Sequence, residues 1–442
     1  MTSPARVCVP SRSLYSGKVN IHLGGCSTCI TETGASRTHI FLLSHPLLPS
    51  KPVANLVPAC ANMGDRISYL RYTLNTEPMS HLKRRNRLRK LIDADAMLVS
   101  NEINVRYLTG FTGDSSLLIV RSSGEDELVS DPRYEEQIAE ECPGLATFIR
   151  QPSQRTFDVV CQRLDAMEIA QLVVEANSLT MSLFERLQAL TQVESFLSGA
   201  GEVEQLRAIK DKSEIKIIRD AVQIAERAFR IFREQLMPHQ TEKELAYELE
   251  RVIRALGGDR CGFDPIVAVG PRASLAHAVP GDSRVGDDPL LLVDWGAEFK
   301  GYRSDQTRVL FNKRPSARIL KAYEAVYESQ QKTIEALKPG IMVSEIDRIA
   351  RDVVASHKLA KRFNHGLGHG IGLEIHEAPF IGKNDDQPLR EGMVVTVEPG
   401  VYFQGLGGVR LEDDLLITKT GAEQLCTLPK EIEHAYYSFL GT

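Results

Sequence analysis

The 442-residue sequence has neither a long apolar run nor an excess of charge of one sign. No stretch of about 18 consecutive apolar residues occurs, so we expect no membrane-spanning helix. With 53 basic and 58 acidic residues the formal net charge is −5, which argues against nucleic-acid binding. No G-x-x-x-x-G-K-[ST] phosphate loop is found. The chain is nevertheless long enough for two domains.

The sequence also lacks a recognisable disulfide or zinc framework. Its eight cysteines are scattered, and a chain of this size does not need disulfides, so we expect a reducing compartment, the cytoplasm. Cys26 and Cys29 form a C-x-x-C, but no βαβ context and no second pair accompany them. A zinc or redox role for this pair is therefore not favoured.

Residues 1–78 differ in composition from the rest of the chain. They are rich in Ser, Thr and Pro, and their only acids are Glu32, Asp65 and Glu77. This composition superficially suits a transit peptide. The simpler explanation is that translation begins at Met79, so we expect 1–78 to lie outside the fold, as a mis-called start or a disordered extension.

The remaining sequence predicts two domains. From 79 to 200, strand-like runs such as AMLVS and QLVVEA alternate with helix-like runs, which indicates an α/β domain. A polar junction, SGAGEVEQ, leads into an α+β domain over 206–442. Its first helix has one apolar face, formed by Ile215, Ile218, Val222, Ala225, Phe229 and Phe232.

Two helix pairs are expected in this second domain. Thr241 and Glu244 form a capping box for the second helix. A helix of about 20 residues then ends at Leu337, and Ser344 with Asp347 predicts the start of a shorter one. Each pair is followed by strands, which suggests an internal duplication.

The segment HGLGHGIGLEIHEAP, from His365 to Pro379, combines three histidines with alternating glycines. Each glycine costs about 1 kcal/mol in a helix interior, so the segment is expected to be extended or looped. Its spacing does not match a G-x-G-x-x-G loop. A metal site is the remaining interpretation, and it requires partners elsewhere in the chain.

Four carboxylates supply those partners. LLLVDWGAEFKGYRSDQTRVLF predicts two strands joined near Lys300–Gly301, which places Asp294 and Asp305 on one face. Ordinary turn acids are the alternative for this pair. Glu398 and Glu412 are predicted within apolar strands, where a lone acid is costly unless it is paired or binds metal.

Together with His369 the four carboxylates form a set of five, mostly oxygen, ligands. That set suits two divalent ions, with Mn²⁺ or Co²⁺ favoured over an all-nitrogen zinc site. A single Ca²⁺ would have little use for an imidazole.

These residues, in this order and spacing, resemble the pita-bread metallopeptidases, specifically the aminopeptidase P and prolidase group. HGLGHGIGLEIHE, EPGVY and VRLEDD match its signatures, and NVRYLTGFTGDSS resembles its creatinase-like amino-terminal domain. The likeness covers roughly 79–442. It implies a creatinase-like α/β domain followed by a pita-bread catalytic domain.

The resemblance also implies an activity. The chain would be an exopeptidase that cleaves the Xaa-Pro bond of peptides or dipeptides through a metal-bridging water, with two divalent ions, chiefly Mn²⁺ (Co²⁺ or Zn²⁺ are alternatives). The substrate would have a free N-terminus and proline at the second position. A homodimer is expected, with neither nucleic acid nor membrane as a partner.

The resemblance implies a role for each site residue. Asp294 would bind one metal, Asp305 and Glu412 would bridge both, and His369 and Glu398 would complete the second. Glu398 would also handle the proton of the bridging water. His277 would hold the scissile region and the leaving proline, and His376 would stabilise the tetrahedral intermediate. His365 and Arg410 would occupy substrate-side or supporting positions.

Several alternatives stay open at this point. His277 could be a surface histidine before a proline turn, and Arg410 could simply neutralise the acids. A metal-free, creatinase-like hydrolase or binding protein could share the fold. A methionine-aminopeptidase-like enzyme uses a similar five-ligand centre, although it needs no domain before Leu206.

Overall fold

The computed structural model describes residues 80–383, 385 and 387–439. The segment 1–78, expected to lie outside the fold, and the C-x-x-C pair within it fall outside these residues. The described chain alternates strands and helices in its first part and then forms helix pairs packed on antiparallel sheets. The predicted fold class, α/β followed by α+β, is therefore confirmed.

The first part is a six-stranded sheet with helices. Its strands are β1 Ala96–Val99, β2 Leu117–Arg121, β3 Glu127–Ser130, β4 Ala146–Ile149, β5 Gln171–Val174 and β6 Ser195–Ser198. Its helices are α1 His81–Leu88, α2 Glu102–Thr109, α3 Glu135–Glu141, α4 Thr156–Ala166, α5 Met181–Leu190 and α6 Glu202–Arg207. The strand order is β4-β3-β2-β1-β5-β6. Strands β1, β5 and β6 are parallel to one another, and β2 is antiparallel to both β1 and β3.

The second part contains the two predicted helix pairs. Its helices are α7 Lys212–Glu234, α8 Glu242–Ala255, α9 Ala317–Ala336, α10 Val343–Ser356 and α11 Ile432–Ala435. Capping boxes at Asp211 and Thr241 open α7 and α8. The prediction that Ser344 with Asp347 opens α10 is wrong, because the helix is capped two residues earlier. Its N-cap is Met342, while Asp347 pairs with Arg351 one turn further on.

Antiparallel strands complete the second part. They are β7 Arg260–Cys261, β8 Ile266–Val269, β9 Leu290–Trp295, β10 Ala297–Phe299, β11 Tyr302–Arg303, β12 Gln306–Phe311, β13 Gly368–Gly370, β14 Glu377–Ile381, β15 Val394–Val397, β16 Gly400–Phe403, β17 Gly407–Arg410, β18 Asp413–Ile417 and β19 Ala422–Gln424. The main sheets run β12-β9-β8 and β14-β13-β15-β18-β19. A bridge between Thr307 and Glu412 connects them.

Each helix pair packs on these strands and encloses a core of its own. Helices α7 and α8 enclose a core in which Phe229 stacks on Trp295, with ring centroids 4.1 Å apart. Helices α9 and α10 enclose a second core around Phe311 and Val326. The carboxylates predicted as ligands stand where the two sheets meet. Among the residues described above, no helix has the length and apolar character needed to cross a membrane.

Candidate metal centre

Asp294 and Asp305 come from one hairpin. Lys300 and Gly301 form its two-residue turn, and both have positive φ, 51° and 82°, as the hairpin turn that fits the strand twist requires. Asp294 pairs across the ladder with Thr307, so Asp305 is its diagonal neighbour on the same face. The two residues line one cavity, and Asp294 and Asp305 are only 7% and 5% exposed. The predicted placement of this pair is confirmed.

Glu398 and Glu412 lie beside strands rather than inside them. Glu398 follows the end of β15, and its N–H donates to the Leu367 carbonyl at 2.8 Å. Glu412 lies between β17 and β18, and its N–H donates to the Thr307 carbonyl at 3.2 Å. The prediction of mid-strand acids is therefore wrong in this detail. Both carboxylates still point into the cavity that holds the aspartates.

His369 lies at the centre of the short strand β13, so the prediction that its segment is not helical is confirmed. A Cβ on Gly368 would stand 2.2 Å from the Thr396 carbonyl oxygen, and one on Gly370 would stand 2.2 Å from that of Ala378. The glycines therefore allow the neighbouring strands to approach closely, which fixes His369 between them. Its backbone N–H donates to Thr396 Oγ1 at 3.1 Å.

Three of the predicted ligands converge most tightly. Asp305, His369 and Glu412 each offer an atom within 4.8 Å of the others. His369 Nε2 is 3.7 Å from Asp305 Oδ2 and 3.6 Å from Glu398 Oε1. These distances are too long for hydrogen bonds but suit two atoms that share an ion at about 2.0–2.2 Å from each.

The described side chains around these carboxylates do not supply enough positive charge to neutralise them. Asp294 Oδ1 and Asp305 Oδ1 are buried and have no hydrogen-bond partner among the described residues. Burial, and then the neighbouring carboxylates, raise the pKa of Asp305 and of Glu412 well above the usual range. Burial raises the pKa of Glu398 to about 8. Such a set requires cations to stay ionised, so the donors fit bound divalent metal.

Arg410 supplies one of those positive charges. Its Nη2 donates to Asp294 Oδ2, its Nε donates to Thr307 Oγ1 at 3.0 Å, and its Nη1 donates to the Tyr402 hydroxyl at 2.8 Å. Arg410 as a whole is only 3% exposed. These contacts favour the alternative in which Arg410 neutralises and orients the acids over a direct contact with substrate.

The three remaining histidines surround the ligands. The His376 ring packs edge-on against His369, with centroids 4.4 Å apart, and is not in the tight three-residue group. His365 contacts the Tyr402 hydroxyl at 3.0 Å, and burial followed by the charge of Arg410 lowers its pKa to about 4. His277 lies on the exposed loop before Pro280 and lines the same cavity.

Four supporting residues were not singled out in the sequence. Thr307 Oγ1 donates to Glu412 Oε2 at 2.7 Å, and Asp414 Oδ2 accepts the Asp305 N–H at 3.0 Å. Tyr402 links His365 to Arg410, and Thr396 holds the backbone of His369. Tyr402 and Asp414 lie within the EPGVY and VRLEDD segments. Their closeness in sequence to Glu398 and Glu412 is the one feature by which they could have been predicted.

A buried ion cluster holds the segment that follows His369. Glu377 accepts Arg207 Nη2 at 2.6 Å and Lys210 Nζ at 2.7 Å. Arg207 also donates to Asn104 Oδ1, on α2 of the first domain, at 2.8 Å. A Cβ on Gly372 would stand 2.4 Å from Glu377 Oε1. The cluster therefore joins the first domain to the strand that begins directly after His376.

All nine predicted site residues line a single cavity of about 550 Å³. They comprise the five ligand candidates and four residues around them. Apolar side chains form much of the remaining wall, including Phe263, Val279 and Phe380. The cavity therefore combines a group of acids with an apolar wall, as small-molecule sites commonly do.

Comparison with known proteins gives consistent matches. Residues 216–419 match the model of metallopeptidase family M24, and residues 84–209 match the Creatinase/Prolidase N-terminal domain. An uncharacterized peptidase of Bacillus subtilis (strain 168) is 38% identical over 340 residues, which are 76% of this chain and 95% of the relative.

Two solved structures have the same fold. An Xaa-Pro dipeptidase from Bacillus anthracis is 35% identical with a TM-score of 0.76, covering 80% of this chain and 99% of that one. An X-Pro aminopeptidase from Thermotoga maritima is 33% identical with a TM-score of 0.72, covering 80% and 99%.

Proposed function

The chain belongs to metallopeptidase family M24 and has a Creatinase/Prolidase N-terminal domain, and from this premise we propose that it is an exopeptidase for Xaa-Pro bonds. The observation that carries the proposal is the convergence of four carboxylates, three of them buried, and His369 in one cavity. Similar structures named Xaa-Pro dipeptidase and X-Pro aminopeptidase support the choice of bond.

We propose that the cavity holds two divalent ions, chiefly Mn²⁺. Asp294 would bind one ion, Asp305 and Glu412 would be shared, and His369 with Glu398 would bind the other. The unpartnered Oδ1 atoms of the two aspartates support this fit. Oxygen-rich donor sets with one imidazole favour Mn²⁺ or Co²⁺, with Zn²⁺ as a further possibility.

When bound, the two ions would lower the pKa of a water and polarise the scissile carbonyl. Glu398 would accept the proton of the attacking water, since its carboxylate lies within the acid group. His376 would donate a hydrogen bond to the oxygen that becomes negative in the transition state. His277 and His365, which line the same cavity, would hold the leaving proline.

Proline selectivity has a physical basis in this site. An Xaa-Pro amide is tertiary and lacks the N–H by which most peptidases orient substrate. The site must therefore hold the flanking groups, namely the free amine and the pyrrolidine ring. The cationic amine would lie beside the acids, which would restrict cleavage to the first bond, and the apolar wall at Phe263 and Val279 would suit the ring.

A substrate panel tests the proposal directly. With Mn²⁺ added, Ala-Pro-Ala should be cleaved, Ala-Ala-Ala should be far slower, and N-acetyl-Ala-Pro-Ala should be inert. Equal rates on the two unblocked tripeptides would refute proline selectivity, and cleavage of the acetylated peptide would refute exopeptidase action. Met-Ala-Ser serves as the probe for a methionine aminopeptidase, which the matched N-terminal domain disfavours.

A further inference from the structure

The charge of the cavity wall bears on the length of the substrate. Among the described residues that line the cavity, Arg410 is the only lysine or arginine. Five acids line the same wall, namely Asp264, Asp294, Asp305, Glu398 and Glu412. Two divalent ions would offset the four acids that bind them, which leaves Arg410 as the one lysine or arginine in this wall for a bound anion, beside the three histidines other than His369.

Arg410 is already committed within the protein. Its three nitrogens donate to Asp294, to Thr307 Oγ1 at 3.0 Å, and to Tyr402 and the Ala276 carbonyl at 2.8 and 3.3 Å. The side chain is 3% exposed. An anionic ligand would have to compete with Asp294 for the guanidinium.

This charge pattern affects dipeptides and longer peptides differently. In Ala-Pro the free carboxylate is attached to the proline itself, so it must enter the cavity together with the ring. An unpaired carboxylate removed from water is costly. In a tripeptide the same position carries a neutral amide, and the carboxylate lies one residue, about 3.5 Å, further out.

A second cavity of about 740 Å³ adjoins the first and provides positive charge. The two cavities share the wall residues Phe263, Asp264, Pro265, Val279 and Pro280. The second is also lined by Lys243, Arg260 and Arg303. Arg260 Nε and Arg303 Nε share one carboxylate, Glu298, at 2.9 and 3.4 Å, so two guanidinium groups face a single acid.

Lys243 and Glu250, two other charged residues that line the second cavity with Asp264, are paired locally. Lys243 pairs with Asp282 at 3.1 Å. Glu250, which also lines the cavity, accepts the Cys261 N–H at 2.7 Å and pairs with Arg254. The arginine pair at Glu298 is therefore the site with capacity to accept a further carboxylate, and Arg303 is partly exposed, at 20% of its side-chain surface.

We propose that this chain prefers peptides of three or more residues over Xaa-Pro dipeptides, and that the residues after proline lie in the second cavity with their carboxylate at Arg303 and Arg260. This inference rests on the proposed function. The reason for the preference is that, in the part of the chain that the structure describes, no spare lysine or arginine lies beside the acids of the first cavity, whereas the adjoining cavity has one.

The first experiment compares kcat/KM for Ala-Pro, Ala-Pro-amide and Ala-Pro-Ala with Mn²⁺ added. Both Ala-Pro-amide and Ala-Pro-Ala should exceed Ala-Pro by at least about tenfold, equivalent to about 1.4 kcal/mol, because both carry a neutral amide after proline. Ala-Pro cleaved as fast as its amide would overturn the length preference. Hydrolysis of none of the three would instead overturn the proposed function, and the inference with it.

The second experiment locates the carboxylate. Arg303→Met should lower kcat/KM for Ala-Pro-Ala about five- to tenfold, mainly through KM, and leave Ala-Pro-amide unchanged. Arg303→Lys should restore part of the loss. The matched control is Lys383→Met, in the cavity on the His365 side, which should leave both substrates unchanged. If Arg303→Met leaves kcat/KM for Ala-Pro-Ala unchanged, or if Lys383→Met gives the selective loss instead, the placement is wrong.

Discussion

Replacing Glu377 with Gln removes the one carboxylate that two buried cations share. Arg207 and Lys210 have side chains exposed to only 2% and 1%, and Glu377 to 3%. Arg207 keeps Glu374 at 2.7 Å and Asn104 at 2.8 Å. Lys210, in contrast, would face a neutral amide. We therefore expect a large loss of stability from a single substitution that hardly changes side-chain volume.

The magnitude follows from the burial of all three partners. Removing one partner of a buried ion pair lowers the free energy of unfolding by about 3–5 kcal/mol, because the other charge is left uncompensated in the interior. Because the Gln side chain keeps one oxygen and Arg207 keeps its other partners, we expect the loss of stability in Glu377→Gln to lie near the lower end of this range. In a domain of this size each kcal/mol lowers Tm by about 2–4 °C, so we expect a fall of roughly 6–12 °C by the same relation.

The assay is scanning calorimetry at one fixed scan rate. The matched control is Glu423→Gln, which removes an arginine–glutamate pair of the same 2.6 Å distance whose side chains are 35% and 47% exposed. Exposed pairs contribute about 0–1 kcal/mol, so its Tm should change little. Equal Tm values for Glu377→Gln and Glu423→Gln would refute the reasoning that burial determines the cost.

The same cluster predicts a dependence of stability on pH. Burial alone would raise the pKa of Glu377, but Lys210 and Arg207 outweigh it and hold the pKa below 4.5. A carboxyl whose pKa is lowered by folding contributes stability above its unfolded pKa, and the contribution is lost as pH falls through the folded value. Wild-type Tm should therefore approach that of Glu377→Gln below pH 4.5 and separate from it above.

Three further predictions concern the proposed site and the start of the chain. His369→Ala and Glu412→Ala should each lose metal, measured by elemental analysis, because the remaining carboxylates would be under-neutralised; two metals per chain in either variant would contradict the ligand assignment. His376→Ala should keep both metals but lower kcat by about 10²–10³-fold, the cost of one transition-state donor; metal-free protein in this variant would make His376 a ligand. A shortened chain that begins at Met79 should keep full activity; a large loss of activity or solubility would contradict the proposal that 1–78 lies outside the fold.

Sequence patterns predicted those features that depend on local chemistry. The apolar face of α7 and the capping box at Thr241 follow from helix periodicity and side-chain hydrogen bonding, and the structure has them. The two-residue turn at Lys300–Gly301 and the face shared by Asp294 and Asp305 follow from hairpin register. These features need no knowledge of distant parts of the chain.

Features that depend on tertiary packing were predicted less well. Glu398 and Glu412 were placed within strands because apolar residues flank them, yet each lies where its backbone bonds to another segment, at Leu367 and Thr307. The pairing of Arg410 with Asp294 spans 116 residues. The cluster of Glu377 with Arg207 and Lys210 had no local signal, since an isolated charge in sequence looks the same whether it is paired inside or solvated outside.

The measurement that tests the central claim most directly is a metal titration followed by activity on Ala-Pro-Ala. Protein stripped with a chelator should be inactive, and Mn²⁺ should restore activity up to a plateau at two equivalents per chain, since the five proposed ligands would form one two-ion site. Full activity of the stripped protein in the presence of chelator would contradict the account. Restored activity that reaches a plateau while the five ligand positions bind no metal would contradict it as well.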